Sequence, residues 1–155
     1  MEDLEKLQGI SKAQIAKLRK ADIGVLDDLL VTGSTLQGRT ELAQQTRIAL
    51  NRITNWVHRA DLMRIKGIDD DYARVLARAG VTSIVDLSTR NPQKLAEEVG
   101  VAASIEGTKR VPRYASLRKW VEEARHLVRH VWYHDTIGHP DLTGIPTTQW
   151  PGPTV

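Results

Sequence analysis

The chain has 155 residues, a formal net charge of +3, 41% hydrophobic and 26% charged residues, and neither Phe nor Cys. Such a composition belongs to a globular protein with an aliphatic core rather than to a disordered chain, and the lack of cysteine excludes disulfides, thiol nucleophiles and thiolate metal sites. No apolar run reaches the roughly 20 residues that span a bilayer, and the acidic start Met1-Glu2-Asp3-Leu4-Glu5 is unlike a secretion signal, so a soluble cytoplasmic protein without membrane insertion is expected.

The first predicted element is a short helix over residues 4–8, ended at Gly9, since glycine takes the left-handed conformation cheaply. Ser11 then caps a second helix, along which Ile15, Leu18 and Ala21 fall at helical spacing. Gly24 marks the turn into a third short helix. A longer helix follows, with Leu42, Ala49, Ile53, Trp56 and Ala60 as one apolar stripe. From Leu62 the pattern starts again: a short helix over 62–66, a stop at Gly67, a cap at Asp69, then Ala73, Leu76 and Ala79 on one face and a turn at Gly80. Asn91-Pro92 places a cap before a proline at the first helical position and opens a helix through Val99. Tyr114, Leu117, Val121, Ala124, Val128 and Val131 give the last helix its stripe. Nowhere does strict alternation last long enough for a strand, so the predicted fold is all-α.

The two halves are copies of one another. Residues 4–10 align with residues 62–68 at a shift of 58, and the register continues through Leu18 and Leu76, Ile23 and Val81, Leu26 and Ile84, Leu29 and Leu87. Beyond Trp56-Val57 and Trp120-Val121 the shift is 64; the second copy therefore carries six extra residues, placed in the stretch 100–108. Internal similarity of this kind marks a duplicated structural unit. The prediction is two tandem repeats, residues 1–61 and 62–131, packed as one pseudo-symmetric unit, with Trp56 and Trp120 as core anchors. An irregular extension rich in proline and aromatics follows at 132–155.

A helix, a hydrophobic–Gly–hydrophobic hairpin and a second helix look like the helix-hairpin-helix motif. The series Arg39-Thr40-Glu41-Leu42-Ala43, Trp56-Val57, Ala60-Asp61-Leu62-Met63-Arg64-Ile65-Lys66-Gly67-Ile68, Ala79-Gly80-Val81, Asp86-Leu87, Arg90-Asn91-Pro92 and Trp120-Val121-Glu122-Glu123-Ala124 closely resembles the domain-of-unknown-function family forty-three thirty-two. That is a tandem helix-hairpin-helix family, and the resemblance spans residues 4–127. It implies a fold and no catalytic residues. Members tend to place a second Gly two residues after the first, where this chain has Ser11 and Asp69.

Three chemistries remain to be weighed. For nucleic acid, backbone N–H groups at a hairpin helix can meet a phosphate, which nominates Gly9, Ser11 and Lys12. Between residues 109 and 129 seven bases face only Glu122 and Glu123, which adds Arg113, Arg118, Arg125 and Arg129 as a basic stripe. Against this, Asp69-Asp70-Asp71 would repel phosphate at the second hairpin, so any such binding is expected to be weak and non-specific. For metal, His126, His130 and His134 are spaced i, i+4, i+8, but the outer pair lies about 12 Å apart along a helix; no metal or other cofactor is expected. For catalysis, adjacent carboxylates such as Glu122 and Glu123 point in different directions on a helix, and no phosphate loop or nucleophile signature is present. A small-molecule substrate is not expected.

The extension offers Trp132, Tyr133, Ile137, Leu142, Ile145 and Trp150 without a single Lys or Arg, a pattern suited equally to a strap over its own two repeats and to a segment that docks on another protein. The leading expectation is thus a non-enzymatic protein-interaction or assembly module of a larger complex. The alternative is a DNA- or RNA-binding accessory protein.

Overall fold

A computed structural model of the chain describes residues 3–127 and Val131, and over these it is all-helical. A short 3-10 helix, Leu4–Lys6, is followed by α1 (Lys12–Lys20), α2 (Leu26–Thr32), α3 (Leu36–Thr46) and α4 (Leu50–Leu62). The second series is α5 (Asp70–Arg78), α6 (Ile84–Ser88), α7 (Pro92–Glu106) and α8 (Tyr114–His126). No strand forms among the described residues; Asp3 and Val25 make one isolated antiparallel bridge. No helix among them is long and apolar enough to cross a membrane.

Two compact units divide the described residues: 3–60 with Val131, and 61–127. The duplication is legible in their internal geometry. α5 repeats α1 over nine residues at the shift of 58, and α8 repeats α4 over thirteen at the shift of 64. After α1 and α5 the chain makes the same turn, with the N–H of Ile23 donating to the Leu18 carbonyl and that of Val81 to Leu76, each at 2.9 Å. That turn requires a left-handed residue, which is Gly80 (φ 95°) in the second unit and Asp22 (φ 65°) in the first. Gly24 is therefore not the conformational break. It stands two residues later, where Asp28 accepts its N–H at 2.9 Å and that of Val25 at 3.2 Å.

Each unit buries its own aliphatic set, with Trp56 2% exposed in the first and Trp120 4% exposed in the second. The stripe over residues 42–60 lies on two helices rather than one. α3 ends where the Thr46 hydroxyl donates back to the Leu42 carbonyl (2.6 Å) and accepts the Ile48 N–H (3.3 Å). Arg47 there turns left-handed at φ 58°. Ala49 is consequently exposed, and Ile48 is buried in its place.

Three further expectations are corrected in the second unit. Residues 62–66 do not form a helix of their own: Leu62 closes α4, and a series of turns leads to Gly67. α7 runs on to Glu106, so most of the stretch 100–108 is helical. α8 stops at His126, where Leu127 becomes extended and returns its N–H to Ala124 (3.3 Å). Leu117, Val121 and Ala124 face the core as expected, whereas Tyr114 is exposed; Val128 lies outside the described residues. Asp61, 1% exposed, organises this unit. One of its oxygens accepts from Arg64 and the other from the Ile84 N–H, both at 2.9 Å, so a buried carboxylate starts α6.

In the first unit a buried cation does similar work. Arg39, 1% exposed, donates to the Gly33 carbonyl at 2.7 Å and so closes the C-terminal end of α2. A methyl group at Gly33 would come within 2.6 Å of Val57 Cγ2, so α4 reaches that turn only because glycine is there. His58 shares this region, and burial, with the nearby Arg39 charge, pushes its imidazole down to about 4 from an ordinary 6.5. The folded protein holds His58 neutral while the unfolded chain protonates it, so stability is lost as pH falls through that window, by up to about 3 kcal/mol. Denaturant unfolding at pH 7 and pH 4.5 should show His58→Gln losing less stability than the wild type; equal losses would contradict the assignment.

Candidate functional site

Both hairpins begin alike and end differently. In the first, Gly9 (φ 86°) leads to Ser11, whose hydroxyl accepts the Gln14 N–H at 3.1 Å while Gln14 Oε1 accepts the Ser11 N–H at 2.9 Å. This reciprocal capping box satisfies two of the donors that a helix start leaves over. Gly9, Ser11 and Lys12 lie together and exposed at that turn. Arg59 of α4 braces the turn by donating to the Gln8 carbonyl at 3.1 Å. An open cleft of about 390 Å³ beside it is lined by Glu5, Lys12, Ile15, Ala16 and Arg19.

In the second hairpin, Gly67 (φ 102°) leads to Asp69, whose Oδ1 accepts the Tyr72 N–H at 3.0 Å. Its other oxygen accepts from Arg110 at 2.7 Å, and the same guanidinium nitrogen donates to Asp71 at 2.8 Å. Arg110 also lies over the Tyr72 ring, 4.4 Å from its centroid, a cation–π contact. Tyr72 in turn meets Trp120 with ring centroids 5.4 Å apart. The loop after α7 presents Arg110 through a tight turn, in which Thr108 Oγ1 accepts the Arg110 N–H at 3.1 Å.

The three aspartates are thus not one repulsive cluster. Asp70 is buried, and Asp69 and Asp71 share a cation. Burial alone would raise the Asp69 carboxyl, but the Tyr72 N–H and the Arg110 guanidinium hold it below its ordinary value. The two carboxylates raise Arg110 further above its own.

The remaining candidate residues scatter. Arg113 is the exposed residue preceding α8. Arg118 and Arg125 border one open cleft of about 760 Å³ with Pro92, Lys119, Glu122 and Glu123. Arg125 is engaged there, donating to the Ser88 carbonyl at 3.3 Å and to Glu122 at 3.1 Å. His126 lies 3.4 Å from the same Glu122. With Arg110 and Arg125 paired and carboxylates between the cations, the basic stripe becomes a surface of mixed charge. Among the described residues no group of His, Asp and Glu converges to hold a metal. Arg129, His130, His134 and the docking candidates Trp132, Tyr133, Ile137, Leu142, Ile145 and Trp150 lie outside the described residues.

The architecture meets a family at this point. The model of a domain of unknown function, DUF4332, matches residues 8–127. The chain belongs to this family. No curated protein and no solved structure matches it.

In this DUF4332 chain, sequence reading missed Arg110, because 39 and 41 residues separate it from its two carboxylates. A signal was nonetheless present. The copy that carries three consecutive aspartates is also the copy with six extra residues, and those residues lengthen α7 and the loop that delivers the arginine.

Replacing Arg110 by alanine should let the Asp69 carboxyl rise toward its ordinary 3.8, with the Tyr72 N–H still holding part of the shift. A depressed carboxylate contributes stability above its unfolded value and loses it as pH falls through the folded one. The variant should therefore lose less stability on acidification below about pH 4. Carboxyl-carbon NMR titration reads the change directly; an unmoved Asp69 would contradict the clamp.

Proposed function

We propose that the protein is a non-enzymatic interaction module of a larger assembly, acting in the cytoplasm, with each unit a helix-hairpin-helix. Its strongest support is on α7. Val101 and Ile105 are each 63% exposed and stand one turn apart on the same face. The opposite face of that helix buries Leu95, Val99, Ala102 and Ala103. Single exposed aliphatics are ordinary on a protein surface, but two β-branched side chains stacked along one helix form a ridge that a partner can cover.

One observation favours nucleic acid as a second reading. Lys12, Lys17 and Lys20 are exposed around α1, and among the described residues no hydrogen bond or ion pair engages their side chains. Contacts of that kind would follow the phosphate backbone and weaken steeply with salt.

Capture from the native cell with the tagged full chain, with and without nuclease, separates the two. The interaction reading predicts a protein that survives nuclease and falls at least tenfold, about 1.4 kcal/mol, with Val101→Glu/Ile105→Glu. Loss of all captured material on nuclease treatment, and on Lys12→Ala/Lys17→Ala/Lys20→Ala, would favour nucleic acid instead.

A further inference from the structure

Val131, the last of the described residues, is 1% exposed and belongs to the first unit, although α8, which leads toward it, belongs to the second. Residues 132–155 therefore set out from the first unit. They carry large apolar side chains from Trp132 to Trp150, the acids Asp135 and Asp141, and no Lys or Arg. Left in water, side chains of that size forgo the gain of burial. The prolines among them, Pro140 and Pro146 included, lower the entropy lost when such a segment is ordered.

The first unit offers the matching chemistry. Residues 6–20 hold five bases and no acid. Lys12, Ile15, Ala16 and Arg19 of α1 stand at positions i, i+3, i+4 and i+7 of one helical stripe, and with Glu5 they line the open cleft of about 390 Å³. The middle of that stripe is aliphatic and both its ends are cationic. Arg19 reaches Asp3 at 3.8 Å in an exposed pair, which water screens. We infer that residues 132–145 fold back over this cleft as a strap, with Leu142 and Ile145 on its aliphatic floor and Asp141 toward Lys12. A compact unit of some 60 residues is roughly 27 Å across, or about 42 Å halfway round. The chain from Val131 to Ile145 extends up to about 46 Å, so the cleft is within reach wherever Val131 is seated on the unit. The strap closes the basic edge of the first hairpin from within the chain, as Arg110 closes the acidic edge of the second. It is independent of the α7 face.

Because the chain has no cysteine, Thr143→Cys takes a single nitroxide label in the full chain. In its NMR spectrum the amide signals of residues 12–19 should lose most of their intensity relative to the reduced label. Leu142→Ala/Ile145→Ala in the labelled chain should restore them. So should Ala16→Glu, which sets a carboxylate at an exposed position in the cleft and keeps a good helix former there. Signals of α1 left intact overturn the strap and leave the segment to another protein. Losses spread evenly over the helices, or a loss at α1 that neither variant relieves, overturn it too. Mixing the labelled chain with unlabelled, isotope-enriched chain should leave α1 untouched; a loss in that mixture assigns the segment to a second copy and contradicts the strap.

Discussion

A methyl group at Gly67 would lie 3.2 Å from the indole nitrogen of Trp120, and the glycine holds a left-handed φ of 102°. That close approach lets the second hairpin settle on the core. Trp120, buried, then meets Tyr72, Tyr72 carries the Arg110 guanidinium, and Arg110 holds Asp69 and Asp71. A single stack therefore connects the interior of the unit to its surface. Aromatic contacts of this kind add to area burial, whereas the outermost ion pairs are exposed and screened by solvent. The weight rests on the inner end.

The two units show what duplication preserves and what it releases. Preserved are the turn returning N–H groups to Leu18 and Leu76, the carboxylates of Asp28 and Asp86, and the tryptophans of α4 and α8. These features define the helix entries and the cores. Released are the exposed ends of the hairpins. Ser11 closes its helix with an uncharged capping box, and lysines surround it. Asp69 closes the equivalent helix with a carboxylate, and the longer second copy supplies a cation to match. The same backbone thus carries an open, basic edge in one unit and an internally neutralised edge in the other.

Much of this was readable from the chain. Periodic leucines, the Ser11, Asp69 and Asn91 caps and the paired tryptophans all speak through local rules, and each stands where those rules place it. Gly9 and Gly67, by contrast, take left-handed turns without ending a helix: the short helix before Gly9 closes at Lys6, and none forms over 62–66. Illegible features were those decided by tertiary packing. Nothing between Leu42 and Ile53 is glycine or proline, yet Thr46 and Arg47 end a helix there, because the threonine hydroxyl turns back on the backbone. Arg39 reads as a surface residue and is buried against a helix end. Asp22 takes a left-handed conformation that the second copy gives to glycine. At the candidate site, Ser11 and Lys12 were visible as a hairpin, whereas Arg110 was hidden by its distance along the chain, and the α7 ridge by the absence of any rule that tells an exposed valine from a buried one.

The inner end of the stack is best tested by comparing the two hairpin glycines. Gly9 and Gly67 share a left-handed backbone, but a methyl group at Gly9 would meet nothing within 4 Å. Gly9→Ala should therefore cost only the backbone strain, about 1–2 kcal/mol. Gly67→Ala carries the same strain together with the clash on the indole, for a total of about 2–5 kcal/mol. Denaturant unfolding of both variants, followed by far-UV circular dichroism, should show the larger loss at Gly67; equal losses would contradict the claim that the hairpin closes on Trp120.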